Sequence, residues 1–412
     1  MLFGFSLNKM KKFLLFLALI TTGASAQDLK SLQDRLTVSA YGVMHYNRYD
    51  WQILPNKRDD VQFERAVLST AYQPDPKWSL NTELEFEYGG TGVTLEFDPL
   101  EEFGEFEYEV EKGGEIWFEQ FNLQYAPSKR FNVALGRVKV PFGIMTVLDE
   151  PTEYRTTSLA EMENTLLPTN WSEYGVLAGG KWGRNWAWQA GLVSGLDGSA
   201  FNSANFIKRG NQKRFEAVSV NDWAGVARLD YAFGTERFAG ISGYVGNTRN
   251  NRPKPDLQVD AYLALAEVHV VMEVTPFEFQ AIGLFGHLQN SEQVSIANRN
   301  LSNNLNVKRT PVGKQAVGAS AELAFELYEV LPSHPQGELY LFGRYDYLDT
   351  QYATQGSIFN NPRWERSTWT AGVNYMPNLW LVFKAQFSRQ KLGIATDRFQ
   401  HTASVGFGFY IQ

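Results

Sequence analysis

The chain has 412 residues, of which 44% are hydrophobic, 14% aromatic and 20% charged, and its net charge is −7. No apolar run in the body of the sequence approaches the roughly 20 residues that a membrane-spanning helix requires, which excludes a helical membrane bundle. The aromatic content excludes a disordered chain. Cysteine is absent, so disulfides and thiolate metal sites are excluded. The negative charge argues against a nucleic-acid partner.

The first 26 residues have the pattern of a secretory signal peptide. Positive charges at Lys9, Lys11 and Lys12 precede a short apolar run over residues 13–20, and Ala24-Ser25-Ala26 supplies a small-x-small cleavage site. The apolar run is too short to serve as a membrane span. We therefore predict a signal peptide over residues 1–26 and a mature, exported chain over residues 27–412.

After residue 35 the hydrophobic pattern has a period of two, which is typical of β-strands. In residues 78–88, Trp78, Leu80 and Leu84 point one way, whereas the carboxylates Glu83 and Glu85 point the other. A soluble core does not accept a carboxylate face, whereas a water-filled lumen does. The pattern indicates strands with lipid on one side and a polar lumen on the other.

Sixteen such segments follow one another, an even number, as bacterial outer-membrane barrels require. They lie at 36–49, 61–72, 78–88, 115–126, 131–140, 173–182, 186–195, 223–233, 237–246, 258–273, 277–288, 314–328, 337–347, 365–376, 379–390 and 398–411. Short Gly-, Pro- and Asn-containing turns alternate with long loops near 89–114, 141–172, 196–222, 289–313 and 348–364. We predict an all-β fold, a sixteen-stranded antiparallel transmembrane β-barrel with short periplasmic turns and long external loops, in contact with outer-membrane lipid.

The loop over residues 141–172, the third external connection when the one at 50–60 is counted first, is the strongest candidate for a functional segment. It is rich in charged residues, and in sixteen-stranded porins the third loop folds into the lumen and narrows it. These charges are Asp149, Glu150, Glu153, Arg155, Glu161 and Glu163. Charges at a constriction determine which ions pass. The alternative is a solvated external loop whose charges serve solubility.

Three short motifs resemble the phosphate-selective porin O and P family. They are Gly136-Arg137-Val138-Lys139-Val140-Pro141-Phe142-Gly143 before the third loop, Phe63-Glu64-Arg65-Ala66, and Glu173-Tyr174-Gly175-Val176 after the loop. The resemblance implies a sixteen-stranded barrel over essentially the whole mature chain, often a homotrimer, that passes small anions such as phosphate.

The charges predicted to face the lumen are of both signs. Pore-constriction candidates are Arg65, Arg137, Lys139, Glu153, Arg155, Glu161 and Glu163. Candidates for the lumen wall are Glu83, Glu85, Arg228, Arg344, Arg366 and Lys384. Such a mixture is more typical of a general diffusion pore than of an anion channel, or it reflects ion pairs that brace the wall. Arg137 and Lys139 share parity with apolar Leu135, so they face the lumen only if a bulge near Gly136 shifts the phase.

The segment 89–115 carries nine acidic residues and one lysine. Its interleaved aromatic residues, including Phe97 and Tyr108, predict an ordered hairpin. Two interpretations stay open for the acids. They bind a divalent cation, because hard cations prefer carboxylate oxygen, or they form a solvated acidic surface.

The pattern as a whole favours a porin, a passive outer-membrane channel for small hydrophilic solutes or ions. We predict no cofactor and no metal, because the five histidines are scattered and the motifs of common hydrolases are absent from the sequence. The alternatives are a phospholipase-like barrel enzyme, a sealed structural or adhesive barrel, and a secreted soluble β protein.

Overall fold

The computed structural model describes residues 34–88, 92–97, 108–113, 116–212, 217–234, 237–301, 309–333, 335–395 and 397–412. Sixteen strands in this part of the chain form one closed antiparallel barrel, and two more form a separate hairpin. The predicted signal peptide and the predicted cleavage site lie outside the described residues. No helix among the described residues combines the length and apolar character that crossing a membrane requires.

Neighbouring barrel strands are consecutive along the chain, except that the hairpin β4–β5 stands between β3 and β6. The strands are β1 (Leu36–Trp51), β2 (Asp60–Asp75), β3 (Trp78–Glu87), β4 (Gly92–Phe97), β5 (Tyr108–Gly113), β6 (Ile116–Ser128), β7 (Phe131–Lys139), β8 (Ser172–Trp182), β9 (Trp186–Ser194), β10 (Trp223–Gly234), β11 (Arg237–Asn247), β12 (Tyr262–Val274), β13 (Phe277–Leu288), β14 (Gln315–Glu326), β15 (Glu338–Ala353), β16 (Glu365–Asn378), β17 (Leu381–Leu392) and β18 (Phe399–Ile411). The sixteen-stranded antiparallel barrel predicted from the alternation is confirmed.

The barrel closes where the first strand meets the last. β1 pairs with β18 from Ala40 opposite Ile411 to Trp51 opposite Gln400. Closure leaves no open edge in the barrel, so each of its sixteen strands has a hydrogen-bonded neighbour on both sides.

Side chains alternate between the outer surface and the interior, as the period of two predicts. Along β12, Tyr262 and Val268 are about half exposed on the outside, whereas Glu267 and His269 are buried inside. The outer surface is therefore apolar and aromatic, and the polar residues face the lumen.

Two strand ends differ from the predicted bounds by four residues or more, whereas the others agree to within three residues. β12 starts at Tyr262 instead of 258, because Thr248 donates from both its N–H and its hydroxyl to the carbonyl of Ala261, which ties the preceding residues into a loop. β15 continues to Ala353, where Thr350 donates its hydroxyl to the carbonyl of Ser203 in a neighbouring loop.

The acidic segment contains a hairpin, as predicted. β4 and β5 pair from Gly92 opposite Gly113 to Phe97 opposite Tyr108. The acidic side chains of residues 89–115 lie outside what the structure describes, so both interpretations of the acids stay open.

The interior differs from the water-filled lumen that the sequence predicts. An apolar cluster joins the third loop (residues 140–171) to the loop residues 195–212, 248–261, 289–301 and 309–314 and to the inner wall of β9–β15. Helices α1 (Glu161–Leu166) and α2 (Ser291–Arg299) contribute to it. Its largest fully buried members are Trp171, Phe142, Phe201, Phe206, Met162, Leu166, Leu196, Ile207, Leu263, Leu288 and Leu348. This side of the lumen is filled by packing, and the polar space lies on the other side.

Candidate functional site

The third loop runs from the end of β7 across the lumen and returns to β8. Asp149 contacts β1, β2 and β7, and Pro151 lies against Gly408 of β18 so closely that a Cβ on that glycine would stand 2.4 Å from the proline ring. Further along, Lys384 of β17 donates to the carbonyls of Tyr154 and Thr156 at 2.6 and 2.9 Å. The inward course of the third loop is thus visible in its contacts.

A cluster of charges, which we call the constriction cluster, holds the start of this crossing. It consists of Arg65, Glu83, Glu85, Lys139 and Asp149. The Lys139 ammonium lies 3.1 Å from Glu83 and 3.0 Å from Asp149, and Arg65 donates to the Asp149 carbonyl at 2.8 Å. The Arg65 guanidinium is 3.8 Å from Glu85. With all five groups ionised the cluster carries one net negative charge.

Asp149 is the centre of this arrangement. Its carboxylate also accepts the hydroxyl of Tyr41 at 3.1 Å. Although burial raises the pKa of Asp149, the adjacent Lys139 and Arg65 lower it more, and the pKa stays below its ordinary value. Asp149 is therefore a charged partner that fixes the loop beside Lys139.

Two more acids of the loop lie next to the cluster. Burial is the main cause that raises the pKa of Glu150 and of Glu153 to about 7 each, and the neighbouring Asp149 raises both further. The Glu153 carboxylate accepts the backbone N–H of Glu150 at 3.2 Å. Both groups therefore titrate near neutrality.

Arg155, one of the predicted constriction residues, fixes the third loop to the far wall of the barrel. Its guanidinium donates to both oxygens of Glu278 on β13 and lies 3.9 Å from the centre of the Tyr340 ring. Asn374 of β16 donates to the Arg155 carbonyl at 2.9 Å. Arg155 is thus an anchor of the loop to the wall opposite the constriction cluster.

Glu161 and Glu163 begin helix α1 and face different partners. Glu161 accepts from Gln390 of β17, whereas Glu163 is 3% exposed and accepts the backbone N–H groups of Ile144 and Met145 at 2.8 and 3.2 Å. Burial raises the pKa of Glu163 to about 7 and also raises the pKa of Glu161. Glu163 therefore closes the loop on itself and does not line an open pore.

The structure does not place Arg137 at the constriction. Pairing between β6 and β7 passes Gly136 without a shift, so Arg137 keeps the parity of Leu135. It stands opposite Phe121 and Tyr174, which are 52% and 43% exposed on the outer surface, and its guanidinium lies 5.4 Å from the Tyr174 ring. The bulge on which the prediction depended is not formed. Lys139 reaches the lumen because it ends the strand.

Three predicted wall arginines brace the barrel and its loops. Arg344 pairs with Asp346 at 2.8 Å and with Glu322 at 3.3 Å. Arg228 pairs with Asp230 at 2.8 Å and donates to the carbonyl of Gly143 at 2.6 Å. Arg366 donates to the carbonyl of Ala204 at 2.8 Å. The bracing interpretation of these basic residues agrees with the structure.

Below the constriction cluster, toward the short turns, lies a polar cavity of about 390 Å³ between β1, β2, β3 and β6–β9. We call it the vestibule. Glu83 and Lys139 close it on the cluster side, and the rest of its lining is uncharged. Its row of Asn and Gln side chains is absent from the residues predicted from the sequence, although the alternate spacing of these amides in 120–124 was a usable signal.

Histidine and acidic side chains in the described ranges are the remaining candidates for metal-binding or catalytic groups. In those ranges no group of three His, Asp or Glu side chains is arranged to hold a metal ion. His269 lies between Glu267 and Asp230, at 3.0 and 2.8 Å, and also contacts Arg228. His401 stacks with Phe387 and Phe399 on the outer surface.

The comparisons with known proteins agree with the barrel. No family model matches the chain. An uncharacterized protein of Aquifex aeolicus is 23% identical over 398 residues, covering 94% of this chain and 83% of that protein. Among solved structures, OprB of Pseudomonas putida at high pH has a TM-score of 0.54 at 8% identity, covering 93% of this chain and 96% of its own. The anion-selective porin from Comamonas acidovorans has a TM-score of 0.52 at 9% identity, covering 91% and 99%. At these identities the likeness is one of fold.

Proposed function

We propose that the chain is a porin of the bacterial outer membrane that lets small hydrophilic solutes or ions diffuse passively. The observation that carries this proposal is the charged third loop pinned across a closed barrel, with a polar vestibule beside it. No energy source and no cofactor enter the proposal. Porins among the structural neighbours, such as that of Comamonas acidovorans, support it.

The outer surface supports the membrane location. Its exposed side chains include Trp369 at 65%, Leu192 at 60% and Ile241 at 57%. An apolar band of this extent around a whole barrel is costly in water and favourable in lipid. Export by the signal peptide 1–26 and insertion into the outer membrane are parts of the same proposal.

We place the permeation route along β1–β7, because the opposite side of the lumen is filled by the apolar cluster. A solute on this route passes the constriction cluster, whose charges nearly cancel. The proposal therefore favours a general diffusion pore over the phosphate selectivity that the family resemblance implies. The homotrimer rests on that resemblance alone and stays a prediction.

The test is ion conductance of the purified full chain in planar lipid bilayers, together with fractionation of the expressing cells. We expect stepwise conductance increases and recovery of the protein with outer membranes. Reversal potentials under a salt gradient then measure selectivity, and we expect a small value with weak cation preference. A barrel that inserts but conducts no ions would support the sealed structural alternative and contradict the porin.

A further inference from the structure

The vestibule has a lining that the transport of ions does not require. Six carboxamide side chains from β3, β6, β7 and β9 face it: Asn81, Gln120, Asn122, Gln124, Asn132 and Gln189. Hydroxyls of Ser39 and Ser69 complete the polar surface on the other side. Its volume of about 390 Å³ lies within the roughly 300–1,000 Å³ of ordinary small-molecule sites.

The amides on β3 and β6 are held in place by one another. Asn81 donates to the side-chain oxygens of Asn122 at 3.1 Å and Gln124 at 3.2 Å, and Asn122 donates to the Arg137 carbonyl at 3.2 Å. A carboxamide has two donor hydrogens and an acceptor oxygen. This row therefore presents donors and acceptors at fixed positions along the wall.

Other amides of the vestibule retain their hydrogen-bonding capacity. Across the described part of the chain, the side chains of Asn132 and Gln189 form no hydrogen bond, although both border the cavity. The amide atoms of both side chains are accessible to water, so the free-energy cost of leaving them without a protein partner is small. They are available to a solute that both donates and accepts.

The charges around the vestibule do not match an ionic ligand. Its charged lining residues, Glu83 and Lys139, neutralise each other at 3.1 Å. Arg65, the next cation, is 2% exposed and lies between Glu85 and the Asp149 carbonyl. A phosphate would find no available guanidinium or ammonium here, and anion recognition relies on such groups.

We propose that the vestibule is a binding subsite for neutral polyhydroxylated solutes, that is, small sugars and polyols in transit. Each hydroxyl of such a solute is both donor and acceptor, which matches the amide row without any charge. Binding in a channel has to be weak enough for release, and a few amide–hydroxyl bonds in competition with water satisfy that condition. The inference names the solute class of the proposed pore and rests on that function for its biological meaning.

The test uses glucose as the probe on the purified full chain. In planar bilayers in potassium chloride, added glucose is expected to lower the conductance with a saturable component, beyond the linear fall caused by viscosity. The double variant Asn81→Ala/Asn122→Ala is expected to raise the half-saturating glucose concentration about tenfold, because two hydrogen-bonding positions are lost.

The matched control is Gln258→Ala/Asn300→Ala, which removes two exposed amides in loops outside the vestibule. It should keep the glucose response of the parent chain. Heat-modifiable gel migration verifies that both variants form the folded barrel.

A second measurement separates this inference from the proposed function. Saturation-transfer difference NMR of glucose with the detergent-solubilised barrel reports binding whether or not the barrel conducts. Binding that the Asn81→Ala/Asn122→Ala variant loses supports the subsite even if conductance fails. Glucose binding that is absent, or that is equal in parent and variant, overturns the subsite even if the pore conducts, and saturable block by inorganic phosphate without block by glucose does so too.

Discussion

Replacing Lys139 by Gln tests the electrostatics of the constriction directly. The cluster contains two cations, Arg65 and Lys139, and three carboxylates, Glu83, Glu85 and Asp149. Its net charge is one negative unit in the parent chain and becomes two in Lys139→Gln. The variant should therefore prefer cations more strongly than the parent does.

The size of this effect follows from Coulomb's law. Two unit charges 4 Å apart in water interact by about 1 kcal/mol, so a passing cation gains and a passing anion loses about that much. The difference of about 2 kcal/mol corresponds to roughly 30-fold in the permeability ratio. Screening by salt lowers the effect, and we expect a shift of about tenfold.

The measurement is the reversal potential under a potassium chloride gradient in planar bilayers. Lys391→Gln is the matched control, because Lys391 is an exposed cation on the outer surface of β17. The double variant Glu83→Gln/Lys139→Gln keeps the net charge of the parent cluster and should return the reversal potential toward the parent value. A Lys139→Gln channel with the parent's reversal potential would refute this account, and so would a double variant that matches the single one.

Three further outcomes are expected. The pKa of Glu150 and of Glu153 is raised to about 7, so the neutral carboxyl groups stabilise the third loop in its position inside the barrel. This contribution to the stability of the loop is lost as pH rises from about 4.5 through about 7. Cation preference should therefore rise between about pH 6 and pH 8, and Glu150→Gln/Glu153→Gln should abolish that rise; an unchanged pH profile would argue against it. Arg155→Met leaves the Glu278 carboxylate on β13 without its partner and should destabilise the inward position of the third loop by about 2–4 kcal/mol. The expected result is a larger and noisier single-channel conductance than that of the parent chain. Gly318→Val should displace helix α1, because a Cβ there meets the sulfur of Met162 at 2.4 Å, and the barrel should unfold at a lower temperature than the parent in circular dichroism.

The barrel was predictable because strand alternation is a local property. Residues 78–88 carry both faces of β3 in their own sequence, and the observed strand, Trp78–Glu87, follows them closely. The apolar filling of the lumen was not predictable in this way. The Phe206 ring packs against Gly286 so closely that a Cβ on that glycine would lie 2.6 Å from the ring. The two residues are 80 positions apart in the sequence, so no local pattern reveals the contact.

The candidate site was predictable in part for the same reason. The inward location of Glu83 follows from strand parity, whereas Lys139 faces the lumen against its parity, at the entry into the third loop. The central role of Asp149 did not follow, because its partner Tyr41 is 108 positions away in the sequence. For Arg137 the motif resemblance predicts a side chain that faces the lumen, whereas the strand register directs it to the outer surface.

The seating of the third loop also constrains the order in which the protein is assembled. Residues 149–157 are synthesised early, but several of their partners, among them Lys384, Gln386 and Gly408, belong to the last two strands. The loop cannot reach its final position until the end of the polypeptide has been delivered and the ring has been joined. In a barrel that lacks its last strands the third loop would have no partners to hold it inside. The shape of the pore is therefore established only when the barrel closes.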